Sequence, residues 1–315
     1  MKKAVKNTPK KDGDIFKIFQ IELISNPLPE LLGLIEQRLT HNQRTFIVTP
    51  NPEFMVWSFK NPWFKRLLIQ SDIAIPDGVA LFWAKEVLRK KGFFSRLFWG
   101  FGTGLKVIFQ GWGEKRISGT DLTEKLCQLA ARKNWTVYFL GGRPGIAQKT
   151  LKILQKKYPG LRGWAESGPK LEMANGQWLM GKKEIKMKDT SDGGSPELVS
   201  GHDSRKGTLS PRDFMSSEVK KWVEKINQFY PDLLFVAFGM GKQEKFIADN
   251  WGQLKIKLGM GIGGAFDYLS GEVKRAPQWI QKIGLEWSYR LLKEPWRWKR
   301  QLSLLKFIWL VLKKK

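Results

Sequence analysis

Four times along this chain a short apolar run stops at proline or glycine and a polar residue follows. Thr49-Pro50-Asn51-Pro52 closes the run at 44–49, and Pro76-Asp77-Gly78 the run at 73–75. Gly141-Gly142-Arg143 closes 135–140, and Gly239-Met240-Gly241-Lys242-Gln243 closes 232–238. Helical patterns follow, as at 79–88 and 147–158. Strand-then-helix alternation commits a chain to a mainly parallel, Rossmann-like α/β sheet with helices on both faces. A last run, Leu258-Gly259-Met260-Gly261-Ile262-Gly263-Gly264, carries Asp267 just beyond its glycines. From Pro277 tryptophans and arginines interleave to the end, which predicts a C-terminal helical appendage.

The pattern predicts one strand over 16–24, a helix over 28–39 and a helix over 53–70. A further helix is expected at 118–133, with Thr120 or Asp121 as its N-cap. Residues 159–217 read as the least structured stretch, with turn-rich Asp192-Gly193-Gly194-Ser195-Pro196 inside it. In the appendage, Trp279, Ile283, Trp287 and Leu291 recur at four-residue spacing, one helical stripe. The expected organisation is a disordered basic N-terminus at 1–14, a catalytic α/β domain at 15–270 and a basic aromatic appendage at 271–315. Insertions near 90–113 and 165–215 interrupt the domain. The first holds six glycines and seven aromatics, and reads either as a segment packed on its own domain or as a second membrane-contacting patch.

Charge narrows the partners. Lys plus Arg number 55 against 29 for Asp plus Glu, a formal net charge of +26. Such a chain favours anionic lipid, nucleic acid or phosphorylated substrates, and fifteen tryptophans weight the choice toward a membrane interface. A non-catalytic basic module binding anionic membrane or nucleic acid is the competing reading. The lone Cys127 excludes an internal disulfide, and His41 and His202 alone cannot build a histidine zinc site. No apolar segment follows the basic first residues, and no run reaches the length of a spanning helix, so a cytoplasmic protein lying on the membrane is expected. Within the tail, the apolar end at 307–312 is expected to lie in the interface.

Loops after parallel strands gather on one edge, so the four strand ends are expected to converge on one cleft. Their glycines allow close backbone approach, and downstream helix N-termini offer N–H donors to phosphate. No Walker loop is present, and Gly259–Gly264 misses the dinucleotide spacing. Asp77, between a strand-ending proline and a turn-freeing glycine, is a candidate general base, although a turn or N-cap role stays open.

Together, Thr49-Pro50-Asn51-Pro52-Glu53, Ile75-Pro76-Asp77-Gly78, Ser118-Gly119-Thr120-Asp121-Leu122 and Phe139-Leu140-Gly141-Gly142 resemble the WecG/TagA/CpsF glycosyltransferases. So do Gly239–Glu244, Gly263-Gly264-Ala265-Phe266-Asp267 and the tail blocks Arg275-Ala276-Pro277, Gly284-Leu285-Glu286-Trp287 and Glu294-Pro295. The resemblance implies a bacterial, inverting, metal-independent hexosyltransferase of cell-surface polysaccharide synthesis, with no cofactor. It would pass an N-acetylmannosamine-type sugar from a UDP donor to a polyprenyl-diphosphate-linked N-acetylglucosamine at the inner membrane face, with no nucleic-acid partner. It assigns Asp77 as base and Thr49, Asn51 and Gln243 to the substrate pocket, with Arg290, Arg297 and Arg300 reaching the donor diphosphate. Gly78, Thr120, Asp121, Gly141 and Gly142 complete the expected substrate-binding set. Neither Asp77 nor Asp121 lies in an acidic pair of the DxD kind, so the leaving diphosphate would depend on arginines and helix N-termini.

Overall fold

The structure, a computed structural model, describes residues 15–109, 116–169, 172–174, 177–179, 211–295 and 298–314. The expected disordered stretch at 1–14 lies outside them. In chain order the strands are β1 (Ile15–Ile18), β2 (Ile21–Ile24), β3 (Thr45–Val48), β4 (Ile73–Ala74) and β5 (Thr136–Gly141). There follow β6 (Arg162–Glu166), β7 (Glu172–Ala174), β8 (Gln177–Leu179), β9 (Leu233–Ala237) and β10 (Leu258–Gly261). Six of them form one sheet in the order β4-β3-β10-β9-β5-β6, and every pairing in it is parallel.

The helices are α1 (Leu28–Thr40), α2 (Pro52–Lys60), α3 (Pro62–Gln70), α4 (Val79–Leu88), α5 (Phe93–Phe109), α6 (Gly119–Lys133) and α7 (Ile146–Lys157). The second half supplies α8 (Pro211–Gln228), α9 (Lys242–Asp249), α10 (Ala265–Leu269), α11 (Gln278–Lys282), α12 (Glu286–Lys293) and α13 (Trp298–Lys313). Both sheet faces are covered, as a parallel sheet requires. Val137, Phe139, Leu233 and Phe235 point into one core with side chains of α1, α6 and α7. Their neighbours Tyr138, Leu140, Leu234 and Val236 point into the other, with α2, α3, α4, α9 and α13. The alternation is the two-residue period of strands buried on both sides.

Several expectations are corrected. The single strand at 16–24 is a hairpin, β1–β2, outside the main sheet. It turns at Phe19 and Gln20, whose φ angles of 50° and 75° belong to a primed hairpin turn. No glycine or asparagine marks that turn. What holds it is the buried Phe19 ring, 4.6 Å from Phe59 and 6.1 Å from Phe307, both edge-on. The helix at 53–70 is two helices, because Pro62 pushes Asn61 out of helical geometry. The stretch read as least structured contributes β6, the sheet edge. Gly163 hid it: the strand packs so closely on Val137 that only a residue without Cβ fits. The tail stripe is broken too, since α11 and α12 are separated at Gly284, φ 76°. A Cβ on Gly284 would lie 2.7 Å from a Val79 methyl, so the appendage approaches the start of α4 closely.

Helix α13 lies against α2 and α4. Phe307 and Val311 are 0% exposed and Leu312 is 8% exposed. Three of the six residues expected at the membrane are therefore core, whereas Trp309 between them is 51% exposed. Phe307→Leu removes the ring that backs the Phe19 turn and should cost on the order of 1–2 kcal/mol, within the range for trimming a buried side chain. Urea unfolding should show a lower midpoint with an unchanged slope; an unaltered midpoint would mean α13 is not part of the cooperative core.

Candidate active site

The strand ends are tied into one edge by backbone and side-chain hydrogen bonds. The Asp77 N–H donates to the Pro50 carbonyl at 2.7 Å, joining the loops after β3 and β4. Gly142 N–H donates to the Ala237 carbonyl at 3.0 Å, joining β5 to β9. Gly263 N–H donates to Gln243 Oε1 at 3.0 Å, joining β10 to the start of α9. At Gly141, φ 105°, a Cβ would stand 2.7 Å from the Ala237 carbonyl oxygen, so the approach of β5 to β9 requires glycine. A separate hollow bounded by Asn42, Arg44 and residues 252–257 lies at the amino-terminal ends of β3 and β10. There Arg44 is tied to the carbonyls of Trp251, Leu254 and Ile256, a structural arrangement.

At the carboxyl edge, charges of both signs interlock. Arg116 Nε lies 3.4 Å from Asp77 Oδ1, and the same guanidinium pairs with Glu286. Arg290 donates to Glu286 Oε1 at 2.6 Å and stacks 4.7 Å over the Tyr268 ring. Arg275 holds Asp121 through both of its terminal nitrogens, one at 2.9 Å, donates to Ser118 Oγ at 3.1 Å and stands 3.6 Å from Glu286. Glu286 is thus a hub shared by three arginines, one from the core domain and two from the appendage. Burial alone would raise its carboxyl, but Arg116, Arg290 and Arg275 outweigh burial and hold it at about 2.

Asp77 behaves oppositely. Burial raises its carboxyl above the ordinary value, only partly offset by Arg116 and Arg290, and the charge of Glu286 pushes the same way as burial. Its side chain nevertheless keeps 29% exposure, so one side is open to a ligand. A desolvated carboxylate with an open side is suited to accept a proton. Arg290 Nε is buried without a hydrogen-bond partner among the described residues.

Gln243 is buried at the amino end of α9. Its amide donates to Glu244 Oε1 at 2.7 Å, while Glu244 Oε2 accepts the Gly241 N–H at 2.7 Å. Burial pushes the Glu244 carboxyl up to about 7 despite those hydrogen bonds. A methyl on Gly261 would strike both side chains at 2.7 Å, so the strand end is shaped to seat them.

The other expected site residues fall as follows. The Thr49 hydroxyl faces the start of α6, 3.5 Å from where a Cβ on Gly119 would stand. Asn51 is the N-cap of α2, its side-chain oxygen accepting the Phe54 N–H at 3.0 Å. Gly78 precedes α4 with φ 127°, and Thr120 lies in the first turn of α6. The N-cap of α6 is neither Thr120 nor Asp121 but Ser118: the cap lies two or three residues earlier, and Ser118 Oγ accepts the Asp121 N–H at 3.1 Å. The hydroxyl also donates to the Asp121 carboxylate at 2.7 Å, which leaves that carboxylate aimed at Arg275. Gly142 sits against Phe266, and Arg290 joins the cluster. Arg297 and the side chain of Arg300 lie outside the described residues. Arg116, Arg275, Glu286 and Glu244 were not singled out from sequence. Arg275, Glu286 and Glu244 lie inside the motif blocks, whereas Arg116 follows the glycine-rich insertion with no spacing to mark it.

A parallel sheet whose carboxyl edge gathers an open-sided carboxylate and three arginines has the equipment of a group-transferring enzyme acting on an anionic ligand. The chain belongs to the WecG/TagA/CpsF family of glycosyl transferases, whose sequence model matches residues 16–97, 102–176 and 203–315. It is similar to the N-acetylglucosaminyldiphosphoundecaprenol N-acetyl-beta-D-mannosaminyltransferase of Bacillus spizizenii strain W23, at 27% identity over 297 residues. The match covers 94% of this chain and 90% of that one. The protein of the same name from Bacillus subtilis strain 168 is 26% identical, with the same coverage.

Proposed function

We propose that this glycosyltransferase passes an N-acetylmannosamine-type sugar from a UDP donor to a polyprenyl-diphosphate-linked N-acetylglucosamine, working at the cytoplasmic face of the membrane. The acceptor hydroxyl oxygen attacks the anomeric carbon and gives its proton to the Asp77 carboxylate. The bond from that carbon to the diphosphate oxygen breaks, its electron pair leaves with UDP, and one displacement inverts the anomeric centre. Arg116 and Arg290 neutralise the charge growing on the diphosphate, joined by Arg275 and by Arg297 and Arg300 of the appendage. In the structure Asp77, Asp121 and Glu286 balance Arg116, Arg275 and Arg290. A diphosphate enters by exchanging with those carboxylates.

Thr49, Asn51, Gly78, Thr120, Gly141, Gly142 and Gln243 line the sugar and nucleotide side. Among the described residues no three His, Cys, Asp or Glu side chains are grouped to hold a metal, and arginines supply the positive charge in the proposed mechanism. No helix among them is long and apolar enough to cross a membrane, which fits attachment from one side. The observation carrying the proposal is the Asp77 carboxylate, raised by burial yet open on one side and bordered by Arg116 and Arg290. A panel of UDP-sugars with a short-chain lipid-diphosphate-N-acetylglucosamine acceptor tests it. Turnover with UDP-N-acetylmannosamine, undiminished by excess EDTA, is expected. Turnover that Mg²⁺ restores after EDTA would overturn metal independence, and turnover with another donor alone would overturn the sugar assignment.

A further inference from the structure

Helix α5 turns the usual amphipathic arrangement inside out. Arg96, Gly100 and Thr103, spaced i, i+4 and i+7, are the buried positions among its residues 93–106, whose side chains are described. The contacts there are polar or small: Trp83 Nε1–H donates to the Gly100 carbonyl at 2.9 Å, and Arg96 Nε–H donates to the Lys90 carbonyl at 2.8 Å. Arg96 also reaches the Lys314 carbonyl, fastening α5 to the end of α13. Facing outward at the same periodicity are Phe94, Phe98 and Phe101, 82%, 83% and 74% exposed, with Leu105 extending the stripe. A helix surrounded by water places its apolar stripe inward. Burying an arginine while presenting three phenylalanine rings makes physical sense only if the outward face meets an apolar medium.

The stripe continues onto α13. The rings of Phe93 and Trp309 are 6.2 Å apart, and Trp309 and Leu305 are exposed beside them. Cations border this plate: Lys90 stands 4.0 Å from the Trp99 ring and Lys313 4.4 Å from the Trp309 ring. Neither α5 nor α13 contains an aspartate or glutamate. Aromatic rings interleaved with lysines fit an anionic lipid headgroup region. A second copy is a poor occupant, since a two-fold contact would set the same positive charges face to face. At 17 residues α5 is about 25 Å long, and it is not a spanning helix.

We infer that α5, with the exposed edge of α13, is a lipid-inserting plate that seats the enzyme on the anionic leaflet. The inference deepens the membrane part of the proposed function and rests on it. The plate is carried by α4, which begins immediately after Asp77 and Gly78, so seating it holds the catalytic edge at the surface where a lipid-linked diphosphate is found. Phe307, Val311 and Leu312 are buried, so of the apolar tail end only the exposed Trp309 edge contributes to this plate.

The test is co-sedimentation of the full chain with vesicles of phosphatidylglycerol and phosphatidylcholine. The variant carries Phe94→Ser, Phe98→Ser and Phe101→Ser together. Each ring withdrawn from lipid should weaken partitioning roughly tenfold, so a loss of about 1,000-fold is expected for the three together, with turnover on a short-chain soluble acceptor unchanged. Equal partitioning of variant and wild type would overturn the plate while leaving membrane attachment intact. Absence of wild-type binding would remove both. A wild-type dimer that the variant abolishes, with vesicle binding unaltered, would assign the face to a second copy instead. As an independent readout, Phe98→Cys can be labelled with a polarity-sensitive fluorophore, because the single native thiol, Cys127, is fully buried. A blue shift of that label on adding vesicles is expected, and an unchanged emission overturns insertion.

Discussion

Asp77→Asn should lower kcat by roughly 10²- to 10⁴-fold, the usual contribution of a general base, while donor affinity changes little. Asparagine matches aspartate in size and keeps the backbone tie from residue 77 to the Pro50 carbonyl, so the turn is preserved. Arg116 loses one partner but remains paired with Glu286. What disappears, in the proposed mechanism, is the ability to accept the acceptor's proton. A base must be ionised to work, and burial raises the Asp77 carboxyl above its ordinary value. Wild-type kcat/KM should therefore fall as pH drops through that raised value, and the residual activity of Asp77→Asn should lack this acidic limb. Single-turnover rates across pH, with donor binding measured calorimetrically, check both parts. A near-wild-type rate would assign Asp77 to the turn alone.

The parallel sheet was legible because its strand ends are punctuated where the fold needs breaks. Pro50 and Pro76 follow strand ends, Pro52 opens α2, and Gly141 and Gly142 supply the left-handed geometry of the β5 exit. The hairpin at Phe19 escaped notice because its left-handed turn is held by tertiary aromatic packing, which local propensity does not encode. Strand β6 escaped for a related reason: Arg162-Gly163-Trp164-Ala165-Glu166 lacks a branched apolar run, and its glycine answers a close contact with β5. Four-residue spacing in the tail suggested one stripe, but Gly284 breaks the helix so that the appendage can approach Val79.

The site was legible in part. Asp77, Gln243 and Arg290 stood out by motif, and the structure brings Asp77 and Arg290 into one electrostatic cluster while Gln243 ties α9 to β10. Arg116 did not stand out. Its role depends on lying between Asp77 and Glu286, residues 39 positions before it and 170 after it. No local pattern carries a contact of that kind. Glu286 was visible only as a member of the block Gly284-Leu285-Glu286-Trp287, although it is the most buried charge of the cluster.

Glu286→Gln should affect both folding and the pH profile, and the two readouts separate its roles. The wild-type carboxyl titrates at about 2 against 4.5 when free. That difference corresponds to about 3 kcal/mol of stability. Because the folded value is depressed, the contribution is fully present above pH 4.5 and is lost as pH falls toward 2. Removing the charge also leaves Arg116, Arg275 and Arg290 without their shared anion, and breaking a buried pair in this way costs about 3–5 kcal/mol. Urea unfolding at neutral pH should show a loss of that order.

The second readout concerns Asp77. Glu286 pushes the Asp77 carboxyl upward, while Arg116 and Arg290 pull it down. Glutamine removes the upward push, and it frees both guanidinium groups to turn toward Asp77. Both changes act in one direction, so the acidic limb of kcat/KM should move to lower pH. A purely structural Glu286 would reduce the folded fraction and leave the limb where it is. Profiles recorded with the folded fraction monitored by near-ultraviolet circular dichroism decide between these outcomes. An unmoved limb in folded protein would mean that the appendage arginines hold their places without Glu286, and that the charge of the proposed donor site is not set through this hub.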